Sequence, residues 1–159
     1  MIIFNADEIF EMAEQIERNG AKFYRKAAES IADDRDLLLR LAAMEDEHER
    51  TFAAMHGQLS DAEKTPLTFD PDNEAALYLQ AMADGKVFKS DPSESLSGNE
   101  SIQDILKTAI GLEKDSIVFY ASMKDVVPKS AGKEKVDAII KEEIGHIVDL
   151  TRQLIASKK

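Results

Sequence analysis

Apolar residues recur at steps of three and four along four stretches of the chain, a spacing that lays a single stripe along an α-helix. In the first stretch, Ile9, Ala13, Ile16, Gly20, Phe23 and Ala27 predict a helix over 6–31, entered through a capping box of Asn5 with Glu8. In the second, Leu37, Leu38, Leu41, Met44, Phe52 and Met55 predict a helix over 34–57, with Asp33 or Asp34 as its N-cap. The third stripe runs through Ile105, Ala109, Leu112, Ser116, Tyr120 and Met123 over 102–126, opened by Ser101 with Asp104 and stopped at Val126-Val127-Pro128. After a turn at Gly132, Val136, Ile139, Ile140, Ile147, Leu150 and Leu154 predict a fourth helix over 132–157.

Residues 58–100 break the pattern with Pro66, Pro71, Gly85, Pro92 and Gly98, leaving one short helical patch at about 73–83 built on Ala75, Ala76, Leu79 and Met82. Antiparallel neighbours need only about two to eight connecting residues. A helix of roughly 25 residues is about 38 Å long, a distance that about a dozen extended residues cover. The segment can therefore return to the starting end of the molecule. The expected fold is all-α, one domain over residues 1–159: a four-helix bundle with a long crossover that contains a short extra helix.

Six polar residues interrupt the stripes: Glu17 in the first, Glu45 and His48 in the second, Glu113 in the third, and Glu143 and His146 in the fourth. Positions i and i+3 lie about 60° apart on a helix, so each Glu-x-x-His aims a carboxylate and an imidazole at one point. The chain has three histidines, and two of them stand in these matching pairs. His56, beside Gly57, reads as a residue of the helix end rather than a ligand. Asp46, Glu47, Glu49 and Arg50 read as a solvated face. Tyr24 and Tyr120 each follow a stripe glutamate by seven residues, within about 20° of the same direction. Glu17 and Glu113 are 96 residues apart, and Glu45 and Glu143 are 98 apart. A duplicated helical hairpin accounts for offsets so nearly equal. Gly20, one turn beyond Glu17, gives up helix propensity where another helix or a site needs room.

Four carboxylates on a core face repel one another, and burying them uncompensated costs more than the helices supply. Two divalent ions would bring +4 against −4. Oxygen-rich ligation with two imidazoles suits iron or manganese, admits zinc, and is too rich in nitrogen for calcium. One Glu from each of two helices plus a Glu-x-x-His from each of the other two is the general ligand plan of di-iron and di-manganese bundles.

Composition narrows the surroundings. A net charge of −11 argues against a nucleic-acid backbone or an anionic membrane as partner. Without cysteine there is no disulfide, no thiolate nucleophile and no cysteine-ligated zinc or iron–sulfur centre. No apolar run approaches 18 residues and the first residues do not form a secretory leader, so a soluble, cytoplasmic protein is expected.

Through Glu17 to Tyr24, Glu45-x-x-His48, Glu113 to Tyr120 and Glu143-x-x-His146, the chain resembles the ferritin-like superfamily and, within it, the rubrerythrin-like branch. The resemblance implies an up-down, crossover, down-up bundle holding two iron ions, with Glu45 and Glu143 bridging and Glu17 and Glu113 terminal. It implies an oxidoreductase that reduces hydrogen peroxide or dioxygen in oxidative-stress defence, with Tyr24 and Tyr120 orienting ligands, a separate electron-donor protein, and a homo-oligomer, expected as a dimer. The alternatives are a ferroxidase or iron-storage protein, and a metal-binding scaffold without turnover. Full-length rubrerythrins append a four-cysteine rubredoxin domain, and this chain has no cysteine. They also carry a further glutamate where this chain has Ser116, and that glutamate serves peroxide reduction in the family.

Overall fold

The computed structural model describes residues 6–32, 34–62, 64, 91–124, 127, 129 and 132–158. Four helices dominate: α1 at Ala6–Ser30, α2 at Arg35–His56, α3 at Ile102–Met123 and α4 at Lys133–Ala156. The four starts, and the ends of α1, α2 and α4, fall within one residue of those that periodicity predicts, where helices fray and caps compete. The expected crossover helix at about 73–83 and the end of α3 at 126 lie outside the described residues, as do Asn5 and Asp33. Ser101 caps α3 as expected, its hydroxyl accepting from the Asp104 backbone N–H at 3.2 Å and donating to the Asp104 carboxylate at 2.7 Å. Asp34 differs from expectation. Its side chain makes no cap and instead accepts a hydrogen bond from Gln153 of α4, tying two helices together.

The buried seam of α2 is Leu38, Leu41, Glu45, His48, Phe52 and Met55, stepping strictly by three and four. Met44 is exposed and Leu37 only half-buried, contrary to the predicted stripe, because each lies one step off that seam. The seam of α4 is Val136, Ile139, Glu143, His146 and Leu150, the same register displaced by 98 residues. In α1 and α3, Ile9, Phe10, Ala13, Glu17, Phe23 and Tyr24 recur as Ile105, Leu106, Ala109, Glu113, Phe119 and Tyr120, displaced by 96. The six interrupting polar residues therefore stand on the core seams of their helices.

Two apolar clusters fill the bundle. One joins Ile9, Phe10 and Ala13 of α1 to Phe52 and Met55 of α2, Phe119, Tyr120 and Met123 of α3, and Val136 and Ile139 of α4. The other joins Phe23, Tyr24 and Ala27 to Leu38 and Leu41, Ile105 and Leu106, and Leu150. The start of α1 thus meets the end of α2, the end of α3 and the start of α4, which is the up-down, down-up order. The chain must travel the length of the bundle between α2 and α3. Its last part packs on α1: Lys22 pairs with Asp91 at 3.1 Å, Lys26 donates to the Ser93 carbonyl at 2.7 Å, and Leu96 is buried in the second cluster. Between the two clusters lies a layer with no apolar side chain at its centre.

Candidate metal centre

That layer holds the six interrupting residues. Glu17, Glu45, His48, Glu113, Glu143 and His146 are each at most 4% exposed, an arrangement charged groups adopt only when paired or bound to metal. Their ligand atoms fall into two groups, each within 4.8 Å: Glu17, Glu45, His48 and Glu143 in one, and Glu45, Glu113, Glu143 and His146 in the other. Glu45 and Glu143 belong to both. The bundle brings together all six candidate ligands that the sequence singles out, and the glutamates of α2 and α4 are the ones common to both groups.

The imidazoles present the same atom inward. His48 Nδ1 lies 3.1 Å from Glu143, 3.6 Å from Glu17 and 3.8 Å from Glu45. His146 Nδ1 lies 2.8 Å from Glu143 and 3.5 Å from both Glu45 and Glu113. The two rings are near-parallel, with centroids 5.8 Å apart. These atoms converge without aligning for hydrogen bonds. Glu17 Oε2, Glu45 Oε1, both Glu143 oxygens, His48 Nδ1 and both His146 nitrogens are buried and have no hydrogen-bond partner among the described residues. An unsatisfied buried polar atom costs about 1–3 kcal/mol, more when charged, so a cluster of them in one layer needs an occupant. Six converging donor groups, four carboxylates and two imidazoles, fit two divalent ions of the iron or manganese type.

The tyrosines close the layer crosswise. Tyr24 of α1 donates its hydroxyl hydrogen to Glu113 of α3, and Tyr120 of α3 donates to Glu17 of α1. The seven-residue spacing brings each tyrosine to the layer, but its partner is on the opposite half. Each phenol is packed in one of the two apolar clusters, with its hydroxyl at the polar layer.

Burial and mutual charge shift the acid–base balance of these groups in opposite directions. Burial, then the charge of Glu45, pushes the Glu17 and Glu113 carboxyls well above the usual range. Burial also pushes Glu45 up, but donor groups on Glu17, His146 and His48 outweigh it and bring Glu45 to about 2. Burial opposes charge on both imidazoles, yet the facing carboxylates prevail: His146 is pushed up to about 12, led by Glu113, and His48 rises as well, led by Glu143.

Gly20 earns its place here, since a Cβ at that position would meet Glu45 Cγ at 3.3 Å. Beside it a pocket between α1 and α3 reaches Glu45, Glu113 and Tyr24, bounded by Ile16, Asn19, Leu112 and Ser116 and by Pro92 of the crossover. Ser116 donates to the Leu112 carbonyl at 3.0 Å and so leaves the pocket open. His56 lies outside the centre, as expected, bridging Glu14 at 2.9 Å and Asp7 at 2.8 Å. Sequence reasoning did not find Glu142, whose carboxylate accepts from His48 Nε2 at 2.9 Å. It stands among exposed charges beside the α4 seam, and only the packing of α2 on α4 brings it to the imidazole.

The family model described as Rubrerythrin matches residues 8–154 of the chain. No curated protein matches. A crystal structure from Thermotoga maritima, assigned as a ferritin-like diiron-carboxylate protein, is similar over 99% of both chains, with 25% identity and a TM-score of 0.78. Among the described residues no helix is long and apolar enough to cross a membrane.

Proposed function

Because the chain belongs to the rubrerythrin family, we propose that its buried layer holds two iron ions and reduces hydrogen peroxide or dioxygen as an oxidative-stress oxidoreductase. The observation that carries this reading is the pair of overlapping ligand groups sharing Glu45 and Glu143 between two apolar clusters. Glu17 and His48 would hold one ion and Glu113 and His146 the other, with Glu45 and Glu143 available to both. When bound, two ferrous ions supply the two electrons that cleave the O–O bond of peroxide, which with two protons yields two waters.

The chain's own residues supply the setting. The two apolar clusters keep bulk water from both ends of the layer. Tyr24 and Tyr120 fix the rotamers of Glu113 and Glu17 by their hydrogen bonds. Burial pushes both phenols well above their usual range, Tyr24 further by the charge of Glu113 and Tyr120 by that of Glu17, so they remain protonated donors at neutral pH. The pocket beside Gly20 and Ser116 gives a molecule the size of peroxide a way to the Glu45 and Glu113 side. Electrons return from a separate donor protein, the chain has no cysteine for a rubredoxin-type centre of its own, and the working form is a cytoplasmic homodimer.

Ser116 favours a second reading, ferroxidation for iron binding or storage, because it places no additional carboxylate in the pocket. Protein loaded anaerobically with two ferrous ions per chain distinguishes the two. Peroxide reduction predicts iron oxidation by peroxide well above the rate with dioxygen and above that of free iron. Faster oxidation by dioxygen together with a large assembly on sizing supports storage. Bound iron oxidised no faster than free iron sinks both.

A further inference from the structure

The two halves of the centre are not equivalent, and the difference lies in the outer nitrogens of the histidines. His48 Nε2 lies 2.9 Å from the Glu142 carboxylate, which accepts its N–H and so holds the ring with Nδ1 toward the centre. His146 presents Nδ1 to the same centre, but its Nε2 is buried and has no hydrogen-bond partner among the described residues. The 98-residue register that equates His48 with His146 equates Met44 with Glu142, and methionine offers no carboxylate. The duplication therefore kept both imidazoles and differs in the group behind them.

A carboxylate behind a metal-bound imidazole fixes its tautomer and ring orientation and raises its basicity, and its loss costs about 10–100-fold in metal affinity. A second asymmetry points the same way. The pocket is lined by Glu45 and Glu113 and by Tyr24, the partner of Glu113, and Glu17 and His48 are not among its lining residues. Of the two outer glutamates, the one that lines this pocket is Glu113, in the half where no carboxylate stands behind the imidazole.

We propose that Glu142 is a positioning residue that makes the Glu17–His48 subsite the tighter and first-filled, and leaves the Glu113–His146 subsite as the one that exchanges its ion through the pocket. This rests on the two-metal reading above. Glu142 is half exposed, with its side chain at 52%, so replacing it leaves the core intact.

The test is an anaerobic titration of metal-free protein with cobalt(II), followed by visible absorption, in the wild type and in Glu142→Ala. Two steps are expected in the wild type, and Glu142→Ala should weaken the first about tenfold while sparing the second. Placing Glu142→Ala on Glu113→Ala, where the Glu17–His48 subsite remains, should reproduce the loss, and placing it on Glu17→Ala should not. Glu142→Gln, which keeps an acceptor, should recover part of it. Met44→Glu should tighten the second step. Equal weakening of both steps, or no effect of Glu142→Ala on either, overturns the proposal and leaves the metal centre standing. No cobalt bound by the wild type overturns the centre and the proposal together.

Discussion

The hydroxyl of Tyr24 on α1 is hydrogen-bonded to Glu113 on α3, 89 residues away, and not to the glutamate of its own helix. With its counterpart from Tyr120 to Glu17 it stitches the two hairpins together across the polar layer. Few other contacts do this so directly, since α1 packs chiefly on α2 and α3 chiefly on α4.

Tyr24→Phe should lower the stability of the metal-free protein by about 1–3 kcal/mol, because a buried acceptor loses its donor. In a chain of this size that is roughly 2–4 °C per kcal/mol in Tm. Thermal denaturation followed by circular dichroism measures it. Helix content at 20 °C should not change, and an unaltered Tm would show that the bond contributes nothing.

Gly20→Ala sets two effects against each other. Helix propensity favours alanine by about 1 kcal/mol, but the new Cβ would stand 3.3 Å from Glu45 Cγ and push the bridging carboxylate. The expected outcome is metal affinity lowered several-fold with no loss of Tm in the metal-free state, read by titration and by calorimetry. Unchanged affinity would mean that Glu45 moves aside freely.

Glu113→Ala should leave about one ion per chain while the protein stays folded, since it removes a ligand and one of four mutually repelling carboxylates. Elemental analysis after reconstitution and gel filtration measures this. Two retained ions would remove Glu113 from the ligand set.

The metal-free protein should lose stability as pH rises. Glu17 and Glu113 are raised above 4.5, so their contribution is full below about 4.5 and is lost as pH climbs through their folded values. His146, raised from 6.5 to about 12, acts in the same sense, full below 6.5 and lost toward 12. Glu45, lowered to about 2, acts oppositely and is lost only as pH falls from 4.5 toward 2. Tm measured in chelator from pH 5 to 9 should fall, more steeply above 6.5, and a flat or rising profile would contradict these protonation states. Metal binding should strengthen over the same range, because the ligands must shed those protons.

The four long helices among the described residues and the six residues that cluster between them were legible in the sequence for one physical reason: burial imposes a three-four spacing, and a charged residue on that spacing has to be explained. Leu38, Leu41, Glu45, His48 and Phe52 announce both the seam and its interruption. The displacement of that set by 98 residues, with Glu17 and Glu113 displaced by 96, marks the site in the sequence as a pair of related halves. Family resemblance singled out Glu45 and Glu143 among the carboxylates, and these two residues belong to both candidate ligand groups.

What the spacing along one helix does not specify is the partner across the bundle. The crossed tyrosine bonds, the Asp34 contact to Gln153 in place of a cap, the exposure of Met44 and the hold of Glu142 on His48 all depend on how two helices lie against each other. Periodicity fixes the face a residue occupies, because every helix turns by about 100° per residue. Which atom it meets on that face is decided by the docking of separate helices, through contacts between residues far apart in the chain, and this only the tertiary structure decides.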